Sequence, residues 1–198
     1  MRLHDISTDT QSLYQLTENE RVVFFILNRS GDITFELTGV GAEAHVFAFF
    51  IGNGKEQCHL NISQKHLAPK TISRVLVKSI LDDESEFSYR GTLHIAKNAT
   101  LSDASQENRN LLLSSKAHAI SEPALEILTS DVRCHHAATT SPLNTEQLFF
   151  SQARGLSKAE AQSLILHGFL QSSLESMGAL ISSQDNEKML ALVKRIID

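Results

Sequence analysis

Between residues 21 and 140 the apolar positions follow two textures. In the first, apolar and polar residues alternate. Ile33, Phe35 and Leu37 interleave with Asp32, Thr34 and Glu36, and Cys58, Leu60 and Ile62 interleave with His59, Asn61 and Ser63. Phe87, Tyr89, Gly91, Leu93 and Ile95 keep the same two-residue step, as do Leu125 and Ile127. A period of two places each set on one face of a β-strand. In the second texture, residues 21–27, 44–51 and 71–80 are more continuously apolar. Such runs suit strands buried on both faces or held at a packed interface.

The strand candidates recur roughly every 10–13 residues, a spacing that suits a sandwich, a barrel or a solenoid. Hairpin signals are scarce. Asn-Gly occurs once, at Asn53–Gly54, and only Gly91 and Gly155 separate Gly54 from Gly168. Many short strands with few tight-turn residues favour a wound solenoid over a meander, although no exact repeat is visible. The alternation therefore predicts inward, mostly buried side chains at Ile33, Leu60, Leu93, Leu125 and Ile127.

After Pro142 the period becomes helical. Asn144 is a good N-cap for a helix over 145–154, with Gly155 where a left-handed residue ends it. Ser157-Lys158-Ala159-Glu160 is a capping box opening a helix over 158–170, with Ala161, Leu164, Ile165 and Phe169 at helical spacing. Asp185 caps a last predicted helix over 186–197, with Met189, Leu190, Val193, Ile196 and Ile197 as its apolar stripe. Residues 171–184 are ambiguous, because Gly178 and paired serines interrupt the pattern. The predicted organisation is a polar tail or short helix over 1–20, a β core over 21–141 and a helical domain over 142–198.

Composition narrows the function classes. With 41% hydrophobic and 21% charged residues in 198, the chain is globular rather than disordered. Two cysteines, Cys58 and Cys134, cannot build a disulfide framework, so a reducing, cytoplasmic setting is expected. No apolar run approaches the ~20 residues of a membrane helix, and the N-terminus turns acidic and polar too early for a secretory leader. A net charge of −5 argues against a general nucleic-acid binder. There is no P-loop, GxGxxG, paired CxxC, HExxH or GxSxG motif.

Two stretches are more specific. One runs Gln106-Glu107-Asn108-Arg109-Asn110-Leu111-Leu112-Leu113 and then Pro123-Ala124-Leu125-Glu126-Ile127. The other runs Asp131-Val132-Arg133-Cys134-His135-His136-Ala137-Ala138-Thr139-Thr140-Ser141, followed by Gln147-Leu148-Phe149-Phe150 and Arg154-Gly155-Leu156-Ser157. Together they resemble the core of the SufB/SufD family of iron–sulfur cluster assembly scaffolds, most strongly over 91–170. The resemblance implies a mainly β protein, a right-handed parallel β-helix with a small C-terminal helical domain. It further implies pairing through the β-helix, with itself or with a SufB-like chain, and docking of a SufC-like ABC ATPase through the helices of 145–197. Nascent clusters are expected at the interface of the two β-helices.

Within that family the Cys-x-His of Cys134 and His136 is SufD-like, and Ala137 stands where SufB-type chains carry a glutamate. Thr139-Thr140-Ser141 and His167-Gly168-Phe169 look more like SufB. Typical members are longer, with an N-terminal region that has no counterpart here, which makes this chain a short, SufD-like form.

Cys134 and His136 lie two apart in a strand, so they share a face with Val132 and Ala138. Thiolate and imidazole suit iron–sulfur chemistry, zinc or copper, but two ligands do not close a site. They are the candidate ligands for a transient cluster or iron at a subunit interface. The plainer alternative is a buried cysteine and a hydrogen-bonded histidine in the stack. Cys58 reads as a core residue, and His135 should point away from His136. His45, His59, His66, His94 and His118 show no ligand spacing and read as surface or satisfied core residues. Asn108, Arg109 and Asn110 suggest a turn or a polar ladder closing a coil more than an anion site. Leu148, Phe149, Phe150, Leu164, Ile165 and Phe169 are core or partner-binding residues.

The chain is not expected to be an enzyme, so any ATP would be hydrolysed by the partner. Two rivals remain. One is a docking or regulatory subunit of the ATPase that never holds a cluster. The other is a carbohydrate-acting β-helix enzyme, for which Asp82-Asp83-Glu84 is the only dense acidic run, with the look of a loop.

Overall fold

A computed structural model of the chain describes residues 1–197, with side chains through Leu192. Eleven strands precede three helices among the described residues: β1 (Arg2–Asp5), β2 (Leu13–Leu16), β3 (Arg21–Leu27), β4 (Gly31–Leu37), β5 (Glu43–Gly52), β6 (Gln57–His66), β7 (Ile72–Leu81), β8 (Glu86–Ile95), β9 (Ser102–Leu112), β10 (His118–Ile127), β11 (Val132–Pro142), α1 (Thr145–Ala153), α2 (Lys158–Gly178) and α3 (Ser183–Ile197). Odd strands form one sheet in the order β1-β3-β5-β7-β9-β11, and even strands form the other in the order β10-β8-β6-β4-β2. Every pairing is parallel. The chain crosses from sheet to sheet at each corner, which makes a two-sheeted parallel β-solenoid.

The two sequence textures are the two sheets. The alternating strands β4, β6 and β8 belong to the even sheet, whose inner face fills the solenoid and whose outer face meets solvent. The more continuously apolar strands β3, β5 and β7 belong to the odd sheet, buried on the inner face and, toward their C-terminal halves, on the outer face too. Its outer face carries Val23, Phe25, Phe47, Phe49, Ile80 and Leu111, which pack against Leu166, Leu170, Leu174 and Met177 of α2 and Met189 of α3. The helices thus fold back over the odd sheet and close a second core.

The corners explain the shortage of hairpin signals. Asn19, Asn28, Lys70, Asp83 and Leu101 each take a single left-handed conformation, with φ between 48° and 59°. At these five corners the chain turns without an Asn-Gly pair, whereas Gly41 and Gly54 serve the corners before β5 and β6.

Two expectations are corrected here. The first 20 residues are no polar tail or short helix. They form a first coil of two four-residue strands, β1 and β2, with Ile6, Tyr14 and Leu16 buried and the N-terminal ammonium donating to the Leu180 carbonyl at 2.6 Å. Leu125 and Ile127, expected in the core, are 42% and 39% exposed, because β10 is an edge strand with no coil stacked on it. Ile33, Leu60 and Leu93 are buried as expected.

The helix signals hold with adjusted ends. Asn144 caps α1, accepting from the Glu146 and Gln147 amides, and Gly155 follows at φ +96°. Ser157 and Glu160 form the capping box of α2. That helix runs on through the ambiguous stretch to Gly178, because Leu170, Leu174 and Met177 keep its buried face in step. α3 begins at Ser183, earlier than predicted, with Ser182 Oγ accepting from the Asp185 amide at 3.2 Å. Met189 is buried and Leu190 half-buried, whereas the side chains of Val193, Ile196 and Ile197 lie outside the described residues.

The solenoid interior changes character along its axis. Near the first coils it is aromatic, with Phe24 and Phe35 ring centroids 4.7 Å apart and Tyr14 stacked on Phe35 at 5.6 Å. Toward β9–β11 the buried inner positions become polar, including Gln64, His66, Ser73, Gln106, Asn108 and Asn110.

Candidate functional site

The last coil, β10 and β11, has no successor, so this end of the solenoid is open. By register, Cys134 stands over Ala104, His136 over Gln106, Ala138 over Asn108 and Thr140 over Asn110. All four lower residues are buried inner positions, so Cys134 and His136 face inward at the open mouth. Across from them, Ser121, Pro123, Leu125 and Ile127 of β10 stand over Tyr89, Gly91, Leu93 and Ile95. His135, one residue away, points to the outer face, as the alternation requires.

Cys134 is half-buried against Leu93, Ile95, Ala99 and Ala104, while His136 is exposed. Burial and, secondarily, the Asp103 carboxylate push the Cys134 thiol above its ordinary range. A metal ion would therefore have to displace a tightly held proton, which couples uptake to pH. No group of three or more His, Cys, Asp or Glu among the described residues is arranged to hold a metal. Cys134 and His136 are soft and borderline donors on one accessible face, so they fit half of a site for iron or a cluster. A second chain would have to supply the rest.

Beneath the mouth lies a polar ladder. Asn110 Nδ2 donates to Asn108 Oδ1 at 3.0 Å, to Ser121 Oγ at 3.1 Å and to Thr140 Oγ1 at 3.0 Å, tying β9 to both strands of the last coil. Ser79 Oγ donates to Asn110 Oδ1 at 2.7 Å and Ser121 Oγ donates to Asn108 Oδ1. Asn108 and Asn110 are the ladder that their sequence suggested, but in a strand rather than a turn. Arg109 points outward to Glu107.

Deeper in, His66 is fully buried between Thr71 Oγ1 and Ser73 Oγ, both at 2.7 Å, and Gln64 Nε2 donates to Ser73 Oγ at 2.6 Å. His66 is thus a satisfied core histidine, and the buried polar residues beside it continue the inward positions of the apolar ones. The continuing two-residue step from Leu60 and Ile62 to Gln64 and His66 was the available signal. Cys58 is a core residue, 2% exposed.

The helical side offers a different surface. α1 buries no side chain, and Phe149, Phe150 and Leu164 are 69%, 61% and 58% exposed. A groove of about 640 Å³ runs between α1, α2 and the end of β11, lined by Phe150, Leu164, Ile165, Arg154 and Pro142 among others. Leu148, Phe149 and Phe150 are thus not core. Phe169 of the α2 stripe is half-buried against the odd sheet. Asp82, Asp83 and Glu84 form a corner, with Glu84 paired to Lys116 at 2.9 Å and to Lys55 at 3.4 Å.

Comparison with known proteins agrees with this architecture. The family profile described as "SUF system FeS cluster assembly, SufBD core domain" matches residues 27–169. The iron–sulfur cluster assembly protein SufD of Escherichia coli K12 is 28% identical over 142 residues, covering 72% of this chain and 34% of that protein. SufB of Bacillus subtilis is 30% identical over 135 residues, covering 68% of this chain and 29% of SufB. A SufBD family protein of Synechocystis sp. PCC 6803 is 32% identical over 126 residues, covering 64% and 27%. The chain therefore spans about a third of the length of these relatives. With a parallel β-solenoid followed by helices and a profile match over most of its length, the chain belongs to the SufB/SufD family.

Proposed function

We propose that the chain is a scaffold subunit in iron–sulfur cluster assembly. It pairs through the open end of its solenoid and offers Cys134 and His136 there to iron or a nascent cluster as cargo. The observation that carries this reading is the open mouth itself. An inward Cys and His share one accessible face, beside exposed Leu125 and Ile127, at a sheet end whose edge strands have no coil beyond them. Unpaired edges and exposed apolar side chains at one place favour association. A twofold pair would bring four ligands together, enough for a cluster. The names of the SufB and SufD relatives support the pathway, and the family setting supports a cytoplasmic site of action. Among the described residues no helix is long and apolar enough to cross a membrane.

The chain is not itself an enzyme in this reading. An ABC-type, SufC-like ATPase docks on α1 and α2, where Phe149, Phe150 and Leu164 leave an apolar face uncovered. The rival reading, a docking subunit that never carries a cluster, draws support from the absence of a complete metal-binding group among the described residues.

The test is anaerobic reconstitution with iron and sulfide, read by absorbance, on the wild-type chain alone and mixed with a SufB-like chain. The scaffold reading expects a chromophore that Cys134→Ala with His136→Ala abolishes while the fold and ATPase pull-down survive. A chromophore indifferent to both substitutions refutes the ligand assignment. No chromophore in either mixture leaves the docking-subunit reading.

A further inference from the structure

Two polar atoms of the solenoid interior have no hydrogen-bond partner among the described residues, the Tyr89 hydroxyl and Gln106 Oε1, and only the second is a pure acceptor. Gln106 is 2% exposed, and its Nε2 donates to Gln64 Oε1 at 3.1 Å. Its Oε1 has no hydrogen-bond partner among the described residues. Buried amide oxygens are nearly always paired, so an orphan of this kind asks for a donor. The oxygen occupies space that Gly91 keeps open, since a Cβ on Gly91 would come within 2.2 Å of it.

The layer above holds two residues. In register, His136 stands over Gln106 and Pro123 stands over Gly91. The Gln106 backbone therefore lies one coil, about 4.8 Å, below that of His136, and its amide oxygen lies across the interior against Gly91. Proline carries no donor. The ring of His136 carries an N–H on one nitrogen whenever the other offers its lone pair to a metal.

We infer that Gln106 is a positioning residue for His136, its buried amide oxygen accepting the inward ring N–H of the imidazole when the outward nitrogen binds a metal ion. This rests on the reading of Cys134 and His136 given above. An amide oxygen can only accept. It selects the tautomer with the proton inside and the lone pair toward the mouth, and it holds the ring against rotation. Ligating histidines commonly depend on such a partner for orientation and basicity. Gly91 has a part in the device, because only the missing Cβ lets the Gln106 amide reach its place.

The experiment is an anaerobic titration of the full chain with cobalt(II). Wild type is compared with Gln106→Met, Gln106→Glu and the double variant Cys134→Ala with His136→Ala. The thiolate-to-cobalt charge-transfer band reports the Cys134 ligand. Zinc-loaded, 15N-histidine-labelled protein reports the His136 tautomer by NMR. Gln106→Met should weaken cobalt binding roughly 10- to 100-fold and mix the tautomers of zinc-bound His136. Gln106→Glu keeps an acceptor at the same place and should stay within a few-fold of wild type, with one tautomer.

If Gln106→Met lowers thermal stability but binds cobalt like wild type, the oxygen serves the interior alone and the inference fails. It also fails if Gln106→Glu loses as much affinity as Gln106→Met. Cobalt uptake that is absent in wild type, or unchanged in the double variant, instead removes the Cys134–His136 reading on which the inference stands.

Discussion

Leu125 stands directly over Leu93 in the register of β10 and β8, yet Leu93 is fully buried and Leu125 is 42% exposed. The two leucines share a face, a strand position and an inward direction. They differ only in whether another coil lies above. Leu93→Ala should therefore cost about 2–5 kcal/mol, and Leu125→Ala about 0.5 kcal/mol or less in the isolated chain. Urea unfolding of both variants measures this. Comparable costs would mean that something covers the mouth in solution. Adding a pairing partner should raise the cost of Leu125→Ala specifically.

Gly91 and Gln106 should be coupled. A methyl group on Gly91 would sit 2.2 Å from Gln106 Oε1 and 2.4 Å from its Cδ. Gly91→Ala should destabilise by about 1–3 kcal/mol through overpacking. Gln106→Ala, which empties that space, should recover most of the loss in the double variant. Additive costs in the double-mutant cycle would contradict the contact.

Much of this architecture was legible in the order of residues because burial on one face and burial on two faces leave different patterns. The alternation of β4, β6 and β8 and the apolar runs of β3, β5 and β7 distinguish the two sheets before any coordinate is seen. What period cannot report is the neighbour. Leu125 and Ile127 alternate as Leu93 and Ile95 do, and nothing local says that the stack ends with them. The coil offset also varies: Val22 pairs with Ala44, but Ala44 pairs with Ser73, which hides the repeat. The first coil is hard to read because β1 and β2 are four residues each, too short to show a period, and β1 is largely polar. At the site, spacing placed Cys134 and His136 on one face. The orphaned oxygen of Gln106 could be found only from the register of β9 against β11 and the room left by Gly91.

The helices should be inseparable from the solenoid. A chain ending at Ser141 would uncover Val23, Phe25, Phe47, Phe49, Ile80 and Leu111 at once. Each large apolar side chain returned to water forfeits about 1.5–3 kcal/mol. That truncated chain should bind ANS and aggregate, as fluorescence and light scattering would report. Its failure to bind an ATPase would then carry no information about docking. Serine substitutions at Phe149, Phe150 and Leu164 are the informative test. These side chains are exposed, so their loss should leave the melting temperature within a few degrees while weakening ATPase pull-down at least tenfold.

His66 makes stability depend on acid. Burial, with Arg74 adding, holds its imidazole down at about 4 from an ordinary 6.5. Above pH 6.5 the ring is neutral in both states. As pH falls from 6.5 toward 4, the unfolded chain takes a proton that the folded chain refuses, and stability drops. The full shift corresponds to on the order of 3 kcal/mol. Urea midpoints at pH 7, 6 and 5 should fall in wild type, and His66→Gln should flatten that part of the slope. An equal slope in the variant would assign the acid sensitivity to other groups.

Lys78 should act in the same direction at high pH. Its side chain is 2% exposed between β7 and α2, with Nζ donating to the Phe169 carbonyl and to Ser172 Oγ at 3.3 Å and lying 4.7 Å from the Phe169 ring centre. Among the described residues no carboxylate pairs with it. Of the charged groups that act on it from β9, Arg109 opposes the ammonium and Glu107 favours it. Burial is the larger cause, and the group is brought down to about 8 from 10.5. Below pH 8 the ammonium is charged in both states, and the folded chain carries the cost of keeping it from water. Between about pH 8 and 10.5 the folded chain sheds this proton while the unfolded chain keeps it, so this residue's contribution makes stability rise with pH. Lys78→Met preserves the length and removes the charge. Its loss leaves Phe169 and Ser172 within a helix, where backbone pairing persists. The variant should be neutral or more stable at pH 7 by about 1–3 kcal/mol, and it should lack the alkaline rise. Lys78→Ala should instead cost about 2 kcal/mol by opening a cavity between sheet and helix. Urea unfolding of the three proteins at pH 7 and pH 9.5 separates these outcomes. A Lys78→Met variant that loses stability at pH 7 would mean that the hydrogen bond to the Phe169 carbonyl outweighs the burial of the charge.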